Sequence, residues 1–177
     1  MMAPRAVWGF RALFAALALL TLFFALLPFG PGEGGVPGPE LTFCLVCAWV
    51  LRRPDYVPLW LVVPVLLIDD ALLMRPLGLW TLIVLVVSEY LRRRVDHAEA
   101  LPFAAEIAQI TGCVAVAFAL NHLALAVLLV EAPPPVAGQA LHALATLVFY
   151  PVVVVLSQLA GVRRLAPGEL DTMGTRA

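Results

Sequence analysis

The chain has 177 residues, of which 63% are hydrophobic and only 13% charged, and its formal net charge is −1. So few polar residues cannot cover the surface of a water-soluble globule of this length. The composition therefore excludes the soluble globular class and indicates a protein whose helices are embedded in a membrane.

Six apolar stretches divide the sequence, and each is predicted to be a transmembrane helix. Their approximate limits are 7–27, 41–51, 57–74, 77–91, 101–130 and 136–160. We expect the first to be an uncleaved span rather than a signal peptide, because no small-x-small cleavage site follows it before Pro28. Residues 1–162 are thus predicted to form one all-α transmembrane domain, followed by a flexible cytoplasmic tail at 163–177.

The second span is unusually short, with residues 41–51 as its clearly apolar part. At ~1.5 Å per residue, a helix of this length covers about half of a ~30 Å hydrocarbon core. We expect it to borrow flanking residues, to thin the bilayer locally, or to pack as a short helix that its neighbours shield.

The remaining spans are separated by clear breaks. A tight Arg75-Pro76 turn joins the third and fourth spans, which predicts that they are antiparallel neighbours. The fifth span is the longest, and the proline run at 133–135 ends it. The sixth carries Pro151 in its interior, which predicts a kink there.

The basic residues, all of them arginines, predict the orientation. With six spans, ten of the eleven arginines fall on one side of the membrane and only Arg75 falls on the other. The positive-inside rule assigns the arginine-rich side to the cytoplasm. Both termini are therefore predicted to be cytoplasmic, since one span more or fewer would put the arginines at 92–94 or 163–164 on the wrong side.

Two adjacent acids, Asp69 and Asp70, lie toward the outer end of the third span. Because neighbours on a helix point about 100° apart, we expect one to face the bundle and the other to reach the outer interface. Their functional interpretation is a proton or cation site or a partner contact. Their structural interpretation is hydrogen bonding to helix ends near the Arg75-Pro76 turn, with Arg75 neutralising one acid. Of the two, Asp69 is expected to matter more.

Polar residues also recur along single faces of the last two spans. Either the two stripes line a ligand cavity or proton path, or they make hydrogen bonds between helices, which is the favoured alternative. On another face of the fifth span, Ala104, Ala108 and Gly112 form a small-residue seam that permits close helix approach. Nearer the inner face, Glu89 and Arg93 have the spacing of a helical ion pair. The stripes are Glu106, Gln109, Cys113 and Asn121 on the fifth span, and His142, Thr146, Tyr150 and Ser157 on the sixth.

Chemistry-bearing motifs are sparse. Cys44 and Cys47 form a C-x-x-C pair inside an apolar segment, which favours buried, inert thiols over redox work. Isolated histidines such as His122 lack a second ligand at helical spacing, so neither a metal site nor a cofactor is expected. No nucleophile motif is visible, and the chain is predicted not to be an enzyme.

The order of these features resembles the rod shape-determining protein MreD family over nearly the whole chain. Where that family commonly has Gly or Ser after the third-span aspartate, this chain has Ala, Leu, Leu and Met at 71–74. The resemblance is carried by the second span from Pro39-Glu40-Leu41 to Leu51-Arg52-Arg53-Pro54, by Asp69-Asp70, by Pro76-Leu77-Gly78-Leu79, by Phe149-Tyr150-Pro151 and by Arg163-Arg164.

The resemblance implies a non-enzymatic scaffold of the bacterial cell-elongation complex in the inner membrane. It implies MreC as a partner, and through MreC the MreB filament and the glycosyltransferase and transpeptidase that insert peptidoglycan. It also implies a six-helix architecture like the substrate-binding component of energy-coupling-factor transporters. The alternative is a transporter subunit that binds a vitamin or metal. The residues expected to have structural or partner-contact roles are Asp69, Asp70, Gly78, Glu106, Asn121 and His142.

Overall fold

The computed structural model describes residues 4–27, 38–97, 102–128 and 135–162, and this part of the chain is all-helical. A short 3₁₀ turn, Pro54–Tyr56, follows the second helix. The predicted tail lies outside the described residues. The six α-helices are α1 Pro4–Leu26, α2 Leu41–Arg52, α3 Leu59–Leu72, α4 Leu79–His97, α5 Phe103–Leu128 and α6 Val136–Leu159.

The short helix α2 lies in the middle of the structure. Ten of its twelve residues are buried, and it packs against α1, α4 and α6. The other five helices form an arc in which α1 contacts α3, α3 contacts α4, α4 contacts α5, and α5 contacts α6. Of the three ways of accommodating a short second span, the structure therefore shows shielding by neighbouring helices.

Three of the described helices are long and apolar enough to cross a membrane: the segments Val7–Leu26, Phe103–Val127 and Val136–Leu159. Their outward faces carry large apolar side chains, such as Phe23, Leu123 and Leu159, which are 58%, 60% and 79% exposed. So much exposed apolar surface is expected of helices that face lipid rather than water.

Arginines from three helices meet at one end of the bundle. Arg11 of α1 donates to the carbonyl oxygen of Asp55, and Arg92 of α4 donates to those of Pro54 and Val57. Arg52 ends α2 beside the same turn. We call this the Arg52 end of the bundle, and the opposite end, where α3 turns into α4, the Arg75 end.

Candidate functional site

At the Arg75 end, the side chain of Asp70 caps the N-terminus of α4. Its Oδ2 accepts hydrogen bonds from the backbone N–H of Gly78 at 2.9 Å, the N–H of Thr81 at 3.2 Å and the Thr81 hydroxyl at 2.8 Å. These N–H groups have no partner within α4, and a carboxylate there also interacts well with the helix dipole. Asp70 thus links the end of α3 to the start of α4 and makes the two helices antiparallel neighbours, as predicted.

The expectation that one of the two aspartates reaches the outer interface is wrong. Neither aspartate reaches an interface, because Asp69 is 1% exposed and Asp70 is 0% exposed. The reason is the turn at 73–78, which folds the N-terminus of α4 over Asp70. Gly78 makes this possible with a φ of 85°, a left-handed conformation that glycine adopts without strain.

Asp69 makes weaker contacts than Asp70. Its Oδ1 accepts a hydrogen bond of 3.4 Å from the Thr42 hydroxyl, which lies 3.1 Å from the Thr21 hydroxyl. This chain of polar groups connects α3 to α2 and α1. The other oxygen of Asp69 has no hydrogen-bond partner among the described residues.

Arg75 pairs with Glu40 rather than with an aspartate. Both Arg75 and His142 contact Oε1 of Glu40, His142 at 3.2 Å. The expected neutralisation of an aspartate by direct contact is wrong, because Glu40, at the start of α2, lies nearer to the guanidinium. This pair could not be predicted from local sequence patterns, since Glu40 and Arg75 are 35 positions apart.

In the cluster formed by Glu40, Arg75 and His142, charge and burial have opposite effects on the pKa values. Burial alone would raise the pKa of the Glu40 carboxyl, but the His142 hydrogen bond and the Arg75 charge outweigh it and hold that pKa below its ordinary value. Burial alone would lower the pKa of Arg75, and the negative charge of Glu40 raises it instead. The cluster is therefore a charged network that joins α2, the α3–α4 turn and α6.

A second buried network lies toward the Arg52 end. Arg52 Nη1 lies 3.1 Å from Glu106 Oε1, and the same oxygen accepts a 2.6 Å hydrogen bond from the Tyr150 hydroxyl. Nearby, Trp49 Nε1 donates to Ser157 Oγ at 3.0 Å. The sequence analysis placed Arg52 only at the cytoplasmic edge of the membrane and did not predict its ion pair with Glu106.

The residues of the two polar stripes have different roles in the structure. On α6, Thr146, Tyr150 and Ser157 are buried and bond to groups on α2 or α5, so these positions follow the interhelical alternative. On α5, Glu106 is paired, while Gln109 and Asn121 line two separate cavities. The predicted Glu89–Arg93 ion pair is confirmed at 3.0 Å.

The two cavities differ in character. One, of about 670 Å³, is a groove between α4 and α5 whose walls include Tyr90, Ala108, Gln109 and Gly112. The other, of about 410 Å³, lies at the Arg75 end among α4, α5, α6 and the start of α2. His142 and Asn121 are both on its wall.

Sites for redox or metal chemistry are not evident in the described parts of the chain. Cys44 and Cys47 are free and buried, and the burial of this pair was predicted. Cys113 is also free and buried. No group of three or more His, Cys, Asp or Glu residues there is arranged to hold a metal ion.

The fold and these networks define an α-helical protein with helices that suit a membrane. The chain matches no protein-family model, no curated protein and no solved structure.

Proposed function

We propose that the chain crosses the bacterial inner membrane six times and acts as a non-enzymatic scaffold of the MreD type. In this role it holds MreC, and through MreC it couples the MreB filament to the synthases of the side wall. The proposal rests on the sequence resemblance and on one structural observation, the open groove between α4 and α5. Its walls include small and apolar residues, which suit close packing of a partner helix.

Two of the three residues of the small-residue seam of α5 lie on this groove. Ala108 and Gly112 line it, and a Cβ atom added to Gly112 would meet no atom within 4 Å. Small residues let helix backbones approach closely, which is a main source of affinity between helices in lipid. The seam is therefore available to a helix from outside the chain rather than used between α5 and its own neighbours.

Gln109 gives the groove a polar contact. The side chain lies on the wall of the groove, within a largely apolar helix. Lipid cannot satisfy such a group, whereas a polar side chain on a partner helix can. MreC-like proteins cross the membrane once, so we propose that their transmembrane helix occupies the groove.

A pair of glycine variants tests the docking step. Gly112→Leu fills the groove, and Gly9→Leu is its matched control, because Gly9 is also helical with open space around its Cβ position. We expect Gly112→Leu to lose most of the co-purifying MreC at unchanged membrane abundance, and Gly9→Leu to keep it. Equal recovery of MreC with the two variants would reject docking in this groove.

The topology is tested separately. The clustering of Arg11, Arg52 and Arg92 at one end of the bundle, opposite Arg75, supports a cytoplasmic Arg52 end. In a cysteine-free background, a membrane-impermeant maleimide on spheroplasts should label cysteines introduced at positions 34 and 132 but not at position 97. Labelling at position 97 would contradict the six-span model.

One observation favours the second candidate, a substrate-binding subunit of an uptake transporter. Such a subunit needs a ligand-sized polar cavity, and the cavity at the Arg75 end has a volume of about 410 Å³. Depletion of the protein separates the candidates. Rounded cells that retain active wall synthases support the scaffold, and rod-shaped cells that lose uptake of a vitamin or metal support the transporter.

A further inference from the structure

Two exposed tryptophans lie side by side at the Arg52 end of the bundle. Trp8 on α1 is 59% exposed and Trp60, in the first turn of α3, is 56% exposed, and their ring centroids are 5.8 Å apart. Tryptophan side chains on the outside of membrane proteins concentrate at the level of the lipid headgroups. The pair therefore marks a place where headgroups contact the outer surface of the bundle.

The guanidinium of Arg11 lies against both rings. Its Cζ atom is 5.1 Å from the centroid of the Trp8 ring and 5.6 Å from that of Trp60. Nε and Nη2 donate to the carbonyl oxygen of Asp55 at 3.3 Å and 3.2 Å, in an exposed position. Within the described chain, Nη1 makes no hydrogen bond, and Arg11 forms no ion pair with a carboxylate, that of Asp55 included. The guanidinium is thus held in place, while its charge has no anionic partner there.

An exposed apolar face of α1 continues from Trp8 toward the opposite end of the bundle. Ala12, Ala16, Leu19 and Phe23 follow Trp8 at spacings of three or four residues, and all four are exposed. From Trp8 to Phe23 the helix rises about 22 Å at ~1.5 Å per residue, which is longer than the ~15 Å hydrocarbon layer of one leaflet. An acyl chain whose headgroup lies beside Trp8 therefore has a continuous apolar surface to follow.

We infer that Trp8, Arg11 and Trp60 form a binding site for one anionic phospholipid. Arg11 Nη1 donates to a phosphate oxygen of the headgroup, the glycerol region packs on the two rings, and an acyl chain follows the exposed face of α1. A zwitterionic headgroup carries its own cation, whereas an anionic headgroup does not, so the charge of Arg11 favours the anionic lipid. The site is independent of the scaffold role, and only its assignment to the cytoplasmic leaflet rests on the proposed topology.

Quenching of tryptophan fluorescence by brominated lipid tests the site in the full chain. The protein is reconstituted into phosphatidylcholine vesicles that contain a minor share of phosphatidylglycerol, with bromine in the upper acyl chain of one lipid or the other. The other two tryptophans, Trp49 and Trp80, are only 0% and 2% exposed, so the quenching reports on Trp8 and Trp60. We expect phosphatidylglycerol to be enriched about fivefold at these rings over its share of the bilayer. Quenching in simple proportion to that share would overturn the inference.

Matched arginine variants separate this site from the general positive charge of the Arg52 end. Arg11→Gln removes the charge beside the two rings and should abolish the enrichment. Arg93→Gln removes the same charge from α4 at the same end, where Arg93 is 75% exposed, and should leave most of the enrichment. Equal losses in the two variants would overturn the site. If Arg11→Gln does not fold, the wild type in raised sodium chloride replaces it, and an enrichment that salt does not reduce would overturn the inference.

A free phosphate ion offers the same charged oxygens as the headgroup, so one further comparison distinguishes the two sources. Sodium phosphate should reduce the enrichment no more than sodium chloride of equal ionic strength does, because a free ion gains nothing from the apolar face of α1. Loss of the enrichment in phosphate alone would assign the site to a soluble anion and overturn lipid binding. Co-purification of MreC is measured separately, so the lipid site and the scaffold role fail separately.

Discussion

Arg52 and Glu106 form a 3.1 Å ion pair in which each side chain is only 1% exposed. The pair joins the end of α2 to the beginning of α5, although the two residues are 54 positions apart. Tyr150 of α6 donates to the same Glu106 oxygen, so three helices depend on one carboxylate. A buried ion pair tolerates the loss of both charges better than the loss of one, because removing one partner leaves the other buried and uncompensated.

This asymmetry predicts the behaviour of single and double variants. Glu106→Gln should destabilise the protein by about 3–5 kcal/mol, while the Arg52→Met, Glu106→Leu double variant should be close to the wild type. Reversible unfolding in mixed micelles measures the free energies. The exposed pair supplies the control, and Glu89→Gln should cost less than about 1 kcal/mol. A double variant less stable than Glu106→Gln would contradict the explanation.

Substitution of Asp70 should destabilise the protein more than substitution of Asp69. This order is the opposite of the one expected from the sequence. Asp70 accepts three hydrogen bonds at the start of α4, and Asp69 accepts one long hydrogen bond from Thr42. We therefore expect Asp70→Ala to cost about 2–3 kcal/mol and Asp69→Ala about 1 kcal/mol or less. Unfolding of the two variants in the same micelles decides the order. A larger loss with Asp69→Ala would restore the sequence-based ranking.

Backbone conformation alone should decide the effect of substitution at Gly78. Its φ is 85°, yet a Cβ atom placed there would meet nothing within 4 Å, so no side-chain clash contributes. Gly78→Ala should cost about 1–2 kcal/mol through left-handed strain. Gly9→Ala has equal space but lies inside α1, where alanine is the better helix former, and it should be neutral or stabilising. Similar unfolding free energies for the two variants would rule out a backbone effect.

The sequence predicts the helices well because their limits follow from local hydropathy and from prolines. The apolar stretch 41–51 corresponds to the helix Leu41–Arg52, and the stretch 136–160 corresponds to the helix Val136–Leu159. The burial of α2 on nearly all sides was one of three alternatives, because a single sequence does not state which helices surround a short one. The end of a helix depends on residues that are close in sequence, whereas the choice of neighbouring helices depends on the tertiary fold.

The candidate site was predicted less completely for the same reason. Glu106 and His142 were singled out as polar groups on helix faces. Glu106 forms an ion pair, and His142 contacts a carboxylate. Their partners, Arg52 and Glu40, were assigned only to the ends of α2. These pairings depend on how α2 is placed against α5 and α6, which hydropathy and spacing along one helix do not determine.

Glu40 predicts a specific dependence of stability on pH. Its pKa is lower in the folded protein than the ordinary value of 4.5, so its ionised form stabilises the fold above that value. This contribution is lost as the pH falls through the folded pKa, because the carboxyl then becomes protonated. Glu40→Gln removes the ionised form at every pH. The wild type should therefore be more stable than Glu40→Gln near pH 7.

The difference between the two proteins should shrink once the pH falls below about 4.5. Thermal unfolding of both proteins in nanodiscs across this range gives the measurement, with Glu89→Gln as the exposed control whose difference from the wild type should stay small. A Glu40→Gln difference that persists unchanged at acidic pH would show that the Glu40 charge does not stabilise the network at the Arg75 end.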